Sequence, residues 1–268
     1  LSLNNVSKSY GDKTLIDKFT LKILRGEKIG IIGRNGSGKS TFLKLIIGET
    51  TPDSGNIKLA RDLKFSYFDQ QRIGIKPDST LQNILCDSGS DYVKMANGKT
   101  QHICGYLKNF LFDPKDVATL AKTLSGGQQN RLLLAKTLAN PGNFMILDEP
   151  TNDLDMDSLD MLQNYLDEYQ GTLLIVSHDR DFLDNVASSI LAFEGDGKII
   201  HHIGGYSDYV EYKEKYSQSE AKEKAAEKSR EVFAAVAPKE EKIRFSFKHK
   251  HELEKLPAKI EKLEKKIA

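Results

Sequence analysis

The sequence predicts an α/β fold: a mixed sheet core, mostly parallel and covered on both faces, with an antiparallel β subdomain, a helical subdomain and a helical, coiled-coil tail. Three observations predict it. Short apolar runs alternate with helical stretches, the pattern of a parallel sheet with crossover helices. Gly33-Arg34-Asn35-Gly36-Ser37-Gly38-Lys39-Ser40 fills G-x-x-x-x-G-K-[ST] at every fixed position, between a buried strand and a helix. The chain then changes character near Tyr212, where charge-dense sequence gives way to an apolar heptad stripe.

Leu1 to Lys8 and Leu15 to Leu24 alternate apolar and polar residues around Tyr10-Gly11-Asp12-Lys13, an antiparallel hairpin. Ile29-Gly30-Ile31-Ile32 reads as a short buried strand, and Thr41 to Ile47 as a helix ending at Gly48. Pro52-Asp53-Ser54-Gly55 is a turn before strands at Asn56–Leu59 and Lys64–Phe68. Residues 78–122 are richer in helix formers, with helices expected at Leu81–Leu85 and Ile103–Leu111, and interrupt the alternation as a small helical subdomain. From Ser125 the alternation resumes: helix Gln128–Leu138, strand Phe144–Leu147, helix Ser158–Tyr169 and strand Thr172–Val176. A hairpin, Ser189–Phe193 with Lys198–Ile203, closes a domain spanning residues 1–212. Residues 213–243 read as a charged helical linker that Pro238 breaks, and 244–268 as the start of a coiled coil. Its stripe is Leu253, Leu256, Ile260, Leu263 and Ile267, with Pro257 a kink unless it lies in the first turn.

Composition narrows the function classes. No apolar run approaches the roughly 18 residues that a membrane span needs, so any membrane part of a transporter would lie on another chain. Cys86 and Cys104 have no metal-like spacing and no secretory signal precedes them, so a reducing cytoplasm is expected. The opening Leu1-Ser2-Leu3 lacks a methionine, as a fragment or processed product does. Charge is uneven. From Lys213 onward 16 Lys/Arg face 11 Asp/Glu, a net of +5, which against +1 for the whole chain leaves −4 for the body.

A strand that turns through glycines into a helix aims backbone N–H groups and the positive end of the helix dipole at one point, the chemistry of phosphate binding. Lys39 would reach the β- and γ-phosphates of a nucleoside triphosphate and the Ser40 hydroxyl would ligate Mg²⁺. Phe144-Met145-Ile146-Leu147-Asp148-Glu149 places two carboxylates at the carboxyl end of a buried strand, where α/β folds put their ligand crevice. Asp148 is placed to hold the metal and Glu149 to polarise an attacking water. Leu124-Ser125-Gly126-Gly127-Gln128 opens another helix with a hydroxyl and two glycines, a second anion site best explained by a nucleotide held across a dimer interface.

Together these residues resemble the ATP-binding cassette family, in order over about residues 1–212: Tyr10 for stacking adenine, the loop Gly33 to Ser40 with Thr41, Gln70 after a strand, the signature Ser125-Gly126-Gly127-Gln128, Asp148-Glu149, the stretch Asn152-Asp153-Leu154-Asp155 and His178. The resemblance implies two cassettes paired head to tail, with ATP between the phosphate loop of one and the signature of the other. It also implies Gln70 on Mg²⁺ or the attacking water, and His178 on the γ-phosphate. Asp148 to Asp155 and Val176 to Leu183 look like the ABC-F branch, whose members lack membrane domains. Tyr67-Phe68-Asp69-Gln70, Gly105-Tyr106-Leu107 and Phe193 to Ile199 look closer to the second cassette of its Uup-like members, which carry two cassettes and a basic coiled-coil tail implicated in DNA binding. The function this implies is an ATPase that remodels a ribosome or branched DNA. The alternatives are the ATP-hydrolysing subunit of a membrane transporter and a half-molecule that binds ATP without turnover.

Overall fold

The alternating N-terminal sequence forms β1 (Ser2–Tyr10) and β2 (Lys13–Lys22), paired antiparallel across Gly11-Asp12. The apolar run becomes β3 (Lys28–Gly33), and α1 (Lys39–Ile47) follows the glycine loop and stops at Gly48. β4 (Ser54–Lys58) returns to β1, making a three-stranded antiparallel sheet in the order β2-β1-β4. After β5 (Phe65–Phe68) come α2 (Leu81–Leu85), the hairpin β6 (Tyr92–Lys94) and β7 (Thr100–His102), α3 (Ile103–Lys108) and two 3-10 turns, Pro114–Ala118 and Ala121–Thr123. The alternation then gives α4 (Gly126–Ala139), β8 (Phe144–Asp148), α5 (Met156–Glu168), β9 (Thr172–Val176), α6 (Arg180–Val186), β10 (Ser189–Gly195) and β11 (Lys198–Ile203). Residues 206–214 are helical.

This computed structural model describes residues 1–68, 75–86, 90–95, 99–152 and 154–216, with Pro257 and Ile260. Gln70, Asp153 and the remaining stripe residues Leu253, Leu256, Leu263 and Ile267 lie outside the described residues. The chain divides into two compact units, Leu1–Glu214 and Lys215–Ala268. In the second, Pro257 and Ile260 are helical and exposed.

The main sheet has six strands in the order β11-β10-β3-β9-β8-β5, with β10, β3, β9, β8 and β5 parallel and β11 antiparallel at the edge. It is the mixed core expected, and its period of two sorts the side chains into two layers. Phe144, Ile146, Leu174 and Val176 face a layer shared with α1 and the antiparallel sheet. Met145, Leu147, Leu173 and Ile175 face a layer built with α3, α4, α5 and α6. Phe42 of α1 spans the first layer, its ring edge-on to Phe19 at 6.1 Å and to Phe193 at 5.5 Å.

The β6–β7 hairpin, α6, the two 3-10 turns and the helix at residues 206–214 escape the sequence reading. The strands of the β6–β7 hairpin are three residues each, too short for alternation to register. α6 is seven residues long and owes its start to Asp179, whose carboxylate accepts from the Phe182 N–H at 3.0 Å. α3 also ends earlier than expected. Leu111 adopts a left-handed φ of 58°, so the helix cannot continue to it. Where α3 meets α4, the buried Tyr106 hydroxyl donates to the Ala135 carbonyl at 2.6 Å. Tyr106→Phe should therefore cost about 1 kcal/mol, read as a drop of roughly 2–4 °C in thermal midpoint for a domain of this size. An unchanged midpoint would mean that the bond adds nothing to this junction.

Candidate ATP site

Gly33 has no room for a side chain, and Gly38 has little. At Gly33, with φ 150°, a Cβ would lie 2.7 Å from the Phe193 carbonyl oxygen and 2.9 Å from Ser37 Oγ. At Gly38, with φ 110°, it would lie 3.1 Å from the Leu15 carbonyl oxygen. The loop is thus walled by β10 on one side and β2 on the other, and its glycines supply both the backbone angles and the clearance. Lys13 of β2 donates its ammonium to the Gly36 carbonyl at 2.8 Å, tying the Tyr10 hairpin to the loop. Tyr10 stands 54% exposed beside it, with Lys8 Nζ 5.3 Å from its ring centroid.

Lys39 opens α1 and is buried, its ammonium donating to the Gly33 carbonyl at 2.6 Å and the Arg34 carbonyl at 3.4 Å. Burial lowers its pKa, while Glu149 and Asp148 oppose that shift. Arg34, Asn35, Gly36 and Ser40 are exposed on the loop and Thr41 is half-buried. Asp148 ends β8 in register with Val176 of β9. Glu149 follows with φ 51°, uncommon for a side-chain-bearing residue, and its N–H donates to the Val176 carbonyl at 2.8 Å. Its Oε1 lies 3.2 Å from His178 Nε2, although His178 is otherwise exposed. Burial raises the Glu149 pKa, with His178 and then Lys39 pulling it down. Lys39, Asp148, Glu149 and His178 thus occupy one mouth at the carboxyl ends of β3, β8 and β9, where α/β sheets bind ligands. Beside it a cavity of about 750 Å³ is lined by Gly33, Arg34, His178, Arg180 and Glu194.

Ser125 caps α4 through a reciprocal pair: its Oγ accepts from the Gln128 N–H at 3.3 Å, and Gln128 Oε1 accepts from the Ser125 N–H at 2.9 Å. Ser125 is exposed, with Gly126 and Gly127 forming the first turn behind it. Sequence reasoning missed Lys13 and the walls at Phe193 and Leu15, because neither pairing leaves a local signature. It also missed Thr151 and Ser177, whose hydroxyls meet at 3.1 Å.

The mouth fits a triphosphate with its metal. Ser37 Oγ and Glu149 Oε2 are buried without a hydrogen-bond partner, and the glycine cradle leaves open the space that side chains would fill. Among the described residues no cluster of three or more His, Cys, Asp or Glu that could hold a metal ion is present. A phosphate loop before a helix, two consecutive acids at the end of β8 and a glycine-flanked second helix start define the class as an ATP-binding cassette.

The ABC transporter family model matches residues 16–152. The chain is 44% identical over 273 residues to the ATP-binding protein Uup of Haemophilus influenzae, covering 99% of this chain and 42% of that one. To the Uup protein of Escherichia coli K12 it is 44% identical over 267 residues, covering 99% and 41%. To the energy-dependent translational throttle protein EttA of Escherichia coli O6:H1 it is 40% identical over 223 residues, covering 83% and 40%. The chain belongs to the ATP-binding cassette family, in the Uup-like ABC-F branch, and spans less than half the length of these relatives. Among solved structures, the dimeric post-hydrolysis cassette MJ0796 bound to ADP and phosphate superposes with a TM-score of 0.58 at 25% identity, over 75% of this chain and 97% of that one. An ATP-binding subunit of an ABC transporter matches in fold at a TM-score of 0.63 and 20% identity, covering 77% and 90%. Among the described residues no helix is long and apolar enough to cross a membrane.

A raised Glu149 pKa means that the native fold holds this proton more tightly than the unfolded chain does. The ionised carboxylate therefore costs stability above its native pKa, and the cost disappears as pH falls below the ordinary glutamate value. Glu149→Gln should raise the nucleotide-free thermal midpoint near pH 8, by about 2–4 °C for each 1 kcal/mol relieved, with the gain shrinking toward pH 4. A melting series across pH checks it; a gain that grows on acidification reverses the sign.

Proposed function

We propose that this chain binds ATP with Mg²⁺ and hydrolyses it between two paired cassettes. Closure drives a conformational change on a nucleic-acid-containing target, a ribosome or branched DNA. The observation that carries the reading is the convergence of Lys39, Asp148, Glu149 and His178 at the end of the phosphate loop. The loop N–H groups and Lys39 bind the β- and γ-phosphates, and Tyr10 stacks on the base. Ser40 and Asp148, with Gln70, hold Mg²⁺, which when bound neutralises charge on the phosphates. Glu149 takes a proton from the attacking water and His178 contacts the γ-phosphate. Ser125, Gly126, Gly127 and Gln128 belong to the other cassette's sandwich, a second copy or a separate first half. The dimeric MJ0796 structures support such pairing. EttA's name ties one relative to translation, and the net charge of +5 from Lys213 onward offers phosphate contacts.

Glu149→Gln keeps shape and removes the base. ATP affinity should survive while turnover falls at least about 100-fold; wild-type turnover in that variant would strip Glu149 of its role. The same variant with Mg²⁺-ATP, given a second copy or the partner half, should pair by light scattering. Adding Ser125→Glu should abolish pairing by setting a carboxylate against the triphosphate. Pairing that ignores Ser125→Glu would place the signature outside the sandwich. Stimulation of turnover by purified ribosomes or by branched DNA identifies the target.

A further inference from the structure

Glu149 and His178 reach the site from two neighbouring strands, and something must fix the distance between them. Three contacts stitch the residues after β8 to those after β9. The Glu149 N–H donates to the Val176 carbonyl at 2.8 Å, Glu149 Oε1 meets His178 Nε2 at 3.2 Å, and Thr151 Oγ1 meets Ser177 Oγ at 3.1 Å. Only the third joins two uncharged side chains whose sole polar groups are hydroxyls. Ser177 is 1% exposed, and the same Oγ accepts from the Asp179 N–H at 3.0 Å, so it holds the backbone on the far side of His178 as well. Ser177 Oγ thus meets partners on both sides, and either hydroxyl of the Thr151–Ser177 pair can be the donor. Glu149, at φ 51°, keeps its uncommon backbone conformation only where neighbours over-determine it.

We propose that Thr151 and Ser177 form a hydroxyl clasp that positions Glu149 against His178, making both positioning residues for ATP hydrolysis. The clasp rests on the reading of Glu149 as base and His178 as γ-phosphate contact. Its bonds run between the two strand ends, not to the residues assigned to phosphate or metal, so it acts on kcat and leaves ATP binding alone. It also makes the two strand ends move as one piece, so a displacement of His178 is felt at Glu149.

Thr151→Val in the full chain removes the hydroxyl at constant shape. Turnover should fall about tenfold or more, the scale of one lost buried positioning bond, with the affinity for a fluorescent ATP analogue unchanged within about twofold. Thr151→Ser should restore turnover; Ser177→Ala, which also removes the acceptor of the Asp179 N–H, should lower it at least as far as Thr151→Val, and adding Thr151→Val to Ser177→Ala should lower it no further. Without nucleotide, the His178 ring resonances should shift in Thr151→Val and return in Thr151→Ser, a readout that requires no turnover. An unmoved His178 resonance in Thr151→Val overturns the clasp, as do equal losses in Thr151→Val and Thr151→Ser. Glu149→Gln run alongside separates the two failures. If it collapses turnover while Thr151→Val does not, the clasp is wrong and the site assignment stands; if Glu149→Gln turns over normally, the assignment itself is wrong.

Discussion

The absence of a side chain at Gly33 fixes where everything else must go. β3 runs through the middle of the main sheet, between β10 and β9, and its last residue packs against Phe193 closely enough to exclude even a methyl group. That packing sets the direction in which the chain leaves the sheet, and so the direction in which the N–H groups of the loop point. Leu15 closes the other side at Gly38, and Lys13 holds the Gly36 carbonyl. A loop described by eight consecutive residues is shaped by strands beginning and ending far from it in sequence. The cradle therefore depends on the antiparallel sheet and the closing hairpin being in register, not on the glycines alone.

Unfavourable features gather at the same mouth. Lys39 is buried with a lowered pKa, Glu149 carries a positive φ and a raised pKa, and Ser37 Oγ and Glu149 Oε2 lack partners. Each opposes stability, whereas the starts of α5, α6 and α4 are capped by Asp155, Asp179 and Ser125. Two apolar layers on either face of one sheet supply the stability that lets such a cluster persist. A ligand rich in anionic oxygens relieves the part of it that lies at the loop, because Lys39 gains an acceptor of opposite charge and the orphaned Ser37 hydroxyl gains a partner.

Legibility in the sequence followed the range of the interaction. Ser125 to Gln128 cap their own helix, and Asp148 and Glu149 end their own strand, so local pattern revealed both. The loop from Gly33 to Thr41 was readable because the clearance it needs forces glycine at fixed spacing. Lys13, Phe193 and Leu15 were not readable, since their contacts come from strand order in space. Thr151 and Ser177 are 26 residues apart and meet only because β8 and β9 are adjacent and parallel. The β6–β7 hairpin failed for a different reason: its strands are too short to display a period.

The geometry of α4 bears on why one cassette would need another. A helix leaves its first N–H groups without intrahelical partners, and burying them unpaired is costly. The reciprocal bonds between Ser125 and Gln128 satisfy the Gln128 and Ser125 N–H groups from within the chain, which fixes the helix start. The N–H groups of Gly126 and Gly127 lie between them, and neither residue has a side chain to cover its backbone. An exposed serine followed by two glycines is an expensive way to begin a helix if solvent is its only neighbour, since glycine in the first turn adds backbone entropy and buries nothing. The same arrangement is economical if an anion approaches along the helix axis. Under the proposed pairing, the chain's own phosphate loop holds one triphosphate, and the anion at this second start is the γ-phosphate held by the other cassette's loop.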